Sequence, residues 1–220
     1  MTPIPFMVAL AVATLLFFVL ANLRAARDIL SAGVLLRFYL YIASFVTLVV
    51  LIAGLIYLLT GLFSLASIDF SYAHYPRPVI NPAVNQPGTQ DQARLEQQQR
   101  EDQRDHQSTD LIRGGTLAVM GAILFGIHAV LRRRETPDAP SESNFRRGFL
   151  TVGLVTFGLV GLVALPVGVY QTLKFFLVPP LETQTRVAPG TTFATGLVLT
   201  PLWVYYLLAL TRQARRTSAS

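Results

Sequence analysis

The chain has 220 residues, of which 52% are hydrophobic and only 14% charged, with a mean hydropathy of +0.49. That composition excludes an ordinary soluble domain and predicts an all-α integral membrane protein. A formal charge of +6 could point to nucleic acid, but the basic residues gather at the ends of apolar runs, where orientation in a bilayer accounts for them, so no nucleic-acid partner is expected. The absence of cysteine removes disulfides, thiolate metal sites and thiol nucleophiles together.

Crossing about 30 Å of hydrocarbon takes roughly 20 apolar residues, and the chain has five runs of that kind, at 4–21, 38–67, 114–131, 148–170 and 191–210. None contains an acidic residue. The first begins "MTPIPFM", without Lys or Arg, and is followed by Arg24 and Arg27. This reverses the charge pattern of a secretory signal, so the run is expected to stay as an anchor with its N-terminus outside; a cleaved signal is the alternative. Residues 29–36, "ILSAGVLL", either lie along the interface or lengthen the second span. That span is already about 45 Å long as a helix and should tilt or project. "RFYLY" at 37–41 marks its headgroup end, with Arg37 snorkelling and Phe38, Tyr39 and Tyr41 in the aromatic belt.

Between the second and third runs lies a polar loop, 68–110. Its first part carries Pro76, Pro78, Pro82 and Pro87 and is expected to be extended. A helix is then predicted, because Thr89 and Gln92 form a capping box with Asp91 in the first turn. The stretch "QDQARLEQQQREDQRDHQ", opening at Gln90 and closing at Gln107, has favourable pairs in Glu96 with Arg100, Glu101 with Arg104 and Asp102 with His106, offset by the like charges of Glu101 and Asp105. It has no apolar stripe, so it must project, fray or meet a polar partner. It either runs directly into the third span or turns at a hinge formed by Gly114 and Gly115. In the fourth run, Pro166 stands among Gly153, Gly158, Gly161 and Gly168, which predicts a kink in a helix whose glycines admit a close neighbour.

Counting charges loop by loop orients the chain. The segments after the first, third and fifth runs hold eleven arginines against the four acids Asp28, Glu135, Asp138 and Glu142; the other side holds seven basic residues against eight acids. The positive-inside rule then places the N-terminus outside and the C-terminus in the cytoplasm of a bacterial plasma membrane.

The spans also repeat. "GAILFGIHAVLRRR" from Gly121 resembles "GLVLTPLWVYYLLAL" from Gly196, and "RFYLYIASFVTL" from Arg37 resembles "RGFLTVGLVTFG" from Arg147. Two spans per unit would relate the units in parallel. The expected organisation is therefore an anchor and interfacial segment at 1–36, a two-span unit at 37–134 containing the loop 68–110, and a second two-span unit at 147–216. On Arg37, Tyr39 and Tyr41, and on the Gly-rich helices that end in His128 or Trp203 before a basic cluster, the chain resembles a family of uncharacterised bacterial membrane proteins known as a domain of unknown function. The second unit departs from the pattern, with Phe149 and Thr151 where the tyrosines would stand. The resemblance implies an architecture and no activity.

Chemistry is sparse. No phosphate-binding glycine loop, nucleophile elbow or zinc-protease motif is present, so no catalytic residue is assigned and no enzyme activity is expected. The spans lack the intramembrane charges of coupled transport, which leaves a passive pore lined by Ser, Thr and backbone as an alternative. His128 is the one histidine within a span; packing or snorkelling is the favoured reading, and a haem or bacteriochlorin shared by two copies the other. Asp102 and His106 share a helix face with His74 and Asp105 nearby, yet no third metal ligand is fixed, and a solvated ion pair is preferred. Neither cofactor nor metal is assigned. The expected function is an accessory or scaffold subunit of a larger membrane complex, its protein partner meeting the 90–107 segment, with a small channel or transporter and a cofactor-binding electron-transfer subunit as the alternatives.

Overall fold

The computed structural model describes residues 32–72, 89–134, 140–178 and 187–217. The expected anchor at 4–21 and the proline-rich segment at 76–87 lie outside the described residues. Those described form helices and short connections: α1 (Ala32–Ala66), α2 (Ile68–Ser71), α3 (Thr89–Arg134), α4 (Pro140–Leu177) and α5 (Gly190–Thr217). All but α2 are long and apolar enough to cross a membrane. Helix is the form such sequence takes in lipid, because no water is present to satisfy an unpaired backbone N–H or C=O.

Two of the local alternatives are decided by the course of the helices. The residues before Arg37 join α1 from Ala32 onward, which makes α1 35 residues, about 52 Å, and longer than the hydrocarbon layer. Gly114 and Gly115 form no hinge, and α3 runs unbroken for 46 residues, about 69 Å. The reason lies in packing. Gly114 is pressed against the backbone of Leu58 in α1, so the missing side chain makes room for a neighbouring helix and does not loosen its own.

The helices pack as two antiparallel hairpins, α1 with α3 and α4 with α5. In the first, Gly54 meets Ala118, Gly61 meets Leu111, Gly114 meets Leu58 and Gly121 meets Leu51. A Cβ added to Gly121 would stand 2.7 Å from the Leu51 backbone, closer than real side chains approach. In the second hairpin, Gly161 meets Leu199 and Thr200, Gly168 meets Phe193, Gly196 meets Leu165 and Gly158 meets the ring of Trp203. Matched in order along the helices, four crossings correspond: Gly54 with Gly161, Gly61 with Gly168, Gly114 with Gly196, and, last, the contact of Gly121 with Leu51 with that of Trp203 with Gly158; a further contact in the second hairpin, Gly153 with Tyr206, has no counterpart. In the last pair the glycine has changed helix. Within lipid, where apolar burial adds little, such close approach supplies dispersion contact between backbones.

Aromatic rings join the hairpins near both ends. At one end, Phe45 of α1 packs against Phe149 and Phe157 of α4, and Tyr206 of α5 contacts both of those rings. At the other, Phe70 of the short α2 lies among Phe63, Phe175 and Phe176, and Phe63 also meets Phe193. Between them Ile52, Ile56, Phe157 and Leu199 are buried almost completely. The buried hydroxyls mostly turn back on their own helix: Thr47 donates to the Ala43 carbonyl, Thr60 to Ile56 and Thr195 to Thr191, each at 2.8 Å. This satisfies them without a partner helix. α4 continues through Pro166 and α5 through Pro201.

Candidate functional site

The antiparallel register brings the α1 C-terminus opposite the middle of α3. Beyond the Gly61–Leu111 crossing α1 has little left, and it ends at Ala66, while α3 continues outward to Thr89. About 25 Å of polar helix therefore overruns its partner. Along this arm Arg94, Gln97, Gln98, Arg100, Glu101, Asp102, Arg104 and Asp105 are exposed. Gln97 donates from Nε2 to Glu101 Oε1 at 3.0 Å, one turn apart.

The base of the arm is held by a contact that sequence reasoning missed. Tyr72, just after α2, donates its hydroxyl to Asp110 Oδ2 at 2.9 Å and stacks its ring on His106, with centroids 6.1 Å apart and planes inclined by 26°. Burial first, and then the hydrogen bond and charge of Asp110, push the Tyr72 phenol well above its ordinary value, with the Ser64 hydroxyl pulling the other way. The α2 turn is itself fastened, since Ser71 donates to the Thr60 carbonyl at 2.8 Å and Gly190 sits against Ser71. The signal available in the sequence was a lone tyrosine closing "IDFSY", which alone does not say what it meets.

His106, considered with Asp102 as an ion pair or metal pair, turns its ring to Tyr72. Among the described residues no three His, Asp or Glu side chains gather as a metal site. His128 uses Nδ1 to bond the carbonyl of Leu124, one turn back, at 2.7 Å, and its ring lies 6.2 Å from Tyr39. That bond makes Nδ1 the donor and leaves Nε2 as the other ring nitrogen.

At the opposite end of the bundle, the Arg132 guanidinium carbon stands 5.0 Å from the ring centres of both Tyr41 in α1 and Phe149 in α4. In the sequence "RRR" at 132–134 serves as an orientation signal and as the basic cluster that follows His128. In the fold its first arginine bridges the two hairpins through cation–π contacts.

No protein-family model, curated protein or solved structure matches this chain.

Proposed function

We propose that this chain is a non-enzymatic membrane protein that acts as an accessory or scaffold subunit, with the arm of α3 as its contact for a polar protein partner. One observation carries the reading: α3 leaves the apolar region without a break and extends a charged, exposed rod past the end of α1. A helix with no apolar stripe gains nothing by folding against its own protein, whereas its amides, carboxylates and guanidinium groups suit a hydrated interface. The Tyr72 contact fixes the direction of the rod at its base. In this reading the protein sits in a bacterial plasma membrane with five spans, the fifth being residues 4–21. The arm faces outside and the arginine-rich end faces the cytoplasm, as the uneven charge of the two sides favours. The two hairpins are copies of a two-span unit, a reading that their matched crossings support.

The test is to replace residues 92–106 by a Gly and Ser linker of equal length and to extract the protein gently with whatever it binds. Single cysteines at Gln98 and Ser141, which should label from opposite sides of intact cells, serve as the topology control. The variant should reach the membrane at normal abundance and lose its outer partner. Added salt should weaken the same contact in the unaltered protein, since exposed ion pairs are screened over about 8 Å at physiological ionic strength. A variant that keeps every partner would remove the arm from the account.

A further inference from the structure

One end of the bundle concentrates arginine. There, α1 and α4 begin and α3 and α5 end, and they bring together Arg37, Arg132, Arg133, Arg134, Arg146, Arg147, Arg212 and Arg215. Against these eight arginines the chain sets Glu135 and Asp138 in the connection between α3 and α4 and Glu142 early in α4, which leaves a net charge of +5 over these eleven residues. Arg133, Arg134, Arg146, Arg147, Arg212 and Arg215 are exposed.

Arg132 differs from the rest. Its guanidinium carbon stands 5.0 Å from the ring centres of both Tyr41 and Phe149, which are themselves 5.5 Å apart, so it rests against this ring pair from one side, and its Nη1 is buried without a hydrogen-bond partner. The ring contacts satisfy none of the guanidinium N–H groups, which still need acceptors. A buried charged donor with no acceptor is costly, and no carboxylate among the described residues pairs with it. Tyr39, exposed beside this end, and Tyr41 are of the residue type that settles at headgroup depth. Arg132 as a whole is half-buried, so an acceptor reaching its accessible N–H groups from the adjoining lipid would be a headgroup oxygen.

We infer that this end of the bundle is a binding site for the phosphate of an anionic phospholipid, with Arg132, held against the Tyr41 and Phe149 rings, as its specific contact and the exposed arginines supplying attraction. The guanidinium fork suits a phosphate because two parallel N–H groups reach two of its oxygens, a geometry that an ammonium cannot reproduce. Nothing in this depends on the role given to the arm of α3, which lies at the other end of the molecule.

The test uses the full chain in detergent and in bilayer discs of defined composition, with native mass spectrometry to count retained lipid. Phosphatidylglycerol should be retained over phosphatidylcholine, and inorganic phosphate at matched concentration should not displace it. Arg132→Gln should weaken phosphatidylglycerol retention about fivefold, and Arg132→Lys should recover less than half of the loss. Should Arg132→Gln fail to fold, the pair Arg146→Gln with Arg147→Gln, both exposed, should lower retention with Arg132 intact. Equal retention of the two lipids by the unaltered protein would overturn the site. Arg132→Lys behaving as the unaltered protein would overturn the specific guanidinium contact, and displacement by inorganic phosphate would show a plain anion site instead.

Discussion

The two hairpins share a way of packing and differ in what is attached to it. Four glycine-marked crossings recur in both in the same order, and the second has a fifth where Gly153 meets the ring of Tyr206. In α4, half of the apolar window is covered by the rest of the protein; in α3 the figure is 17%, and Val119, Met120, Ile123, Ile127 and Val130 face outward. α3 also continues as the polar arm, whereas α5 overlaps most of α4. The lesson is that a common frame fixes where helices meet and says nothing about their outer faces. The second hairpin supplies most of the inner aromatic contacts.

The largest effect should come from the crossings. Valine at Gly114 would drive side-chain atoms into the Leu58 backbone, and valine at Gly168 would do the same to Phe193, where even a Cβ would stand at 2.8 Å. Each should lower stability by about 3 kcal/mol, the upper part of the range for overpacking. Gly115, one residue away, has nothing within 4 Å on the side where a Cβ would stand, so Gly115→Val should stay within about 0.5 kcal/mol of the parent. Thermal unfolding in detergent measures all three. Equal losses at Gly114 and Gly115 would show that the crossings do not hold the hairpins.

A smaller effect is expected where the first hairpin carries its overrun. Tyr72→Phe removes the bond to Asp110 and should cost about 1 kcal/mol near neutral pH. The sign with pH follows from the raised phenol. In the unfolded chain it ionises near 10, in the folded protein higher, so its contribution is present below pH about 10 and is lost as pH rises through the folded value. The melting temperature of the parent should fall more steeply above pH 10 than that of Tyr72→Phe. Parallel curves would mean that the phenol does not titrate against Asp110.

Much of this frame was legible in the sequence, and the parts that were not have a common cause. Long apolar runs and the capping residues near Thr89 predicted helices where α1, α3, α4 and α5 lie, because in lipid the backbone has few alternatives. The course of α3 through Gly114 was not decidable, since a glycine reads alike as hinge and as crossing until the neighbour is known. The same ambiguity affects the repeat. Comparison of the spans set Gly121 against Gly196, whereas the crossings match Gly196 with Gly114, seven residues earlier. Glycines spaced by seven present the same face after each shift of two turns, so the pattern reveals the face and hides the phase. Contacts such as Tyr72 with Asp110 and Arg132 with Tyr41 join residues far apart in the chain and carry no local signal.

The smallest effect should come from the prolines, which only the second hairpin has within its spanning helices: Pro166 in α4 and Pro201 in α5. Each stands beside a crossing, Pro166 next to the contact of Leu165 with Gly196, and Pro201 next to that of Thr200 with Gly161. A proline removes one backbone N–H and crowds the carbonyl four residues back, which for Pro166 is that of Leu162. Pro166→Ala restores that hydrogen bond and relieves the crowding, a gain. It also removes the bend that an interior proline favours, close to where the partner packs two residues on, with Gly168 against Phe193, a loss. Pro166 is exposed, so its ring fills no space in the core and nothing else changes. With the two terms opposed, the net shift should stay within about 1 kcal/mol in a detergent melt, well below that of Gly168→Val. If the same variant, still folded, abolished solute flux in reconstituted vesicles, the proline would be a moving part, and the channel reading would displace the scaffold one.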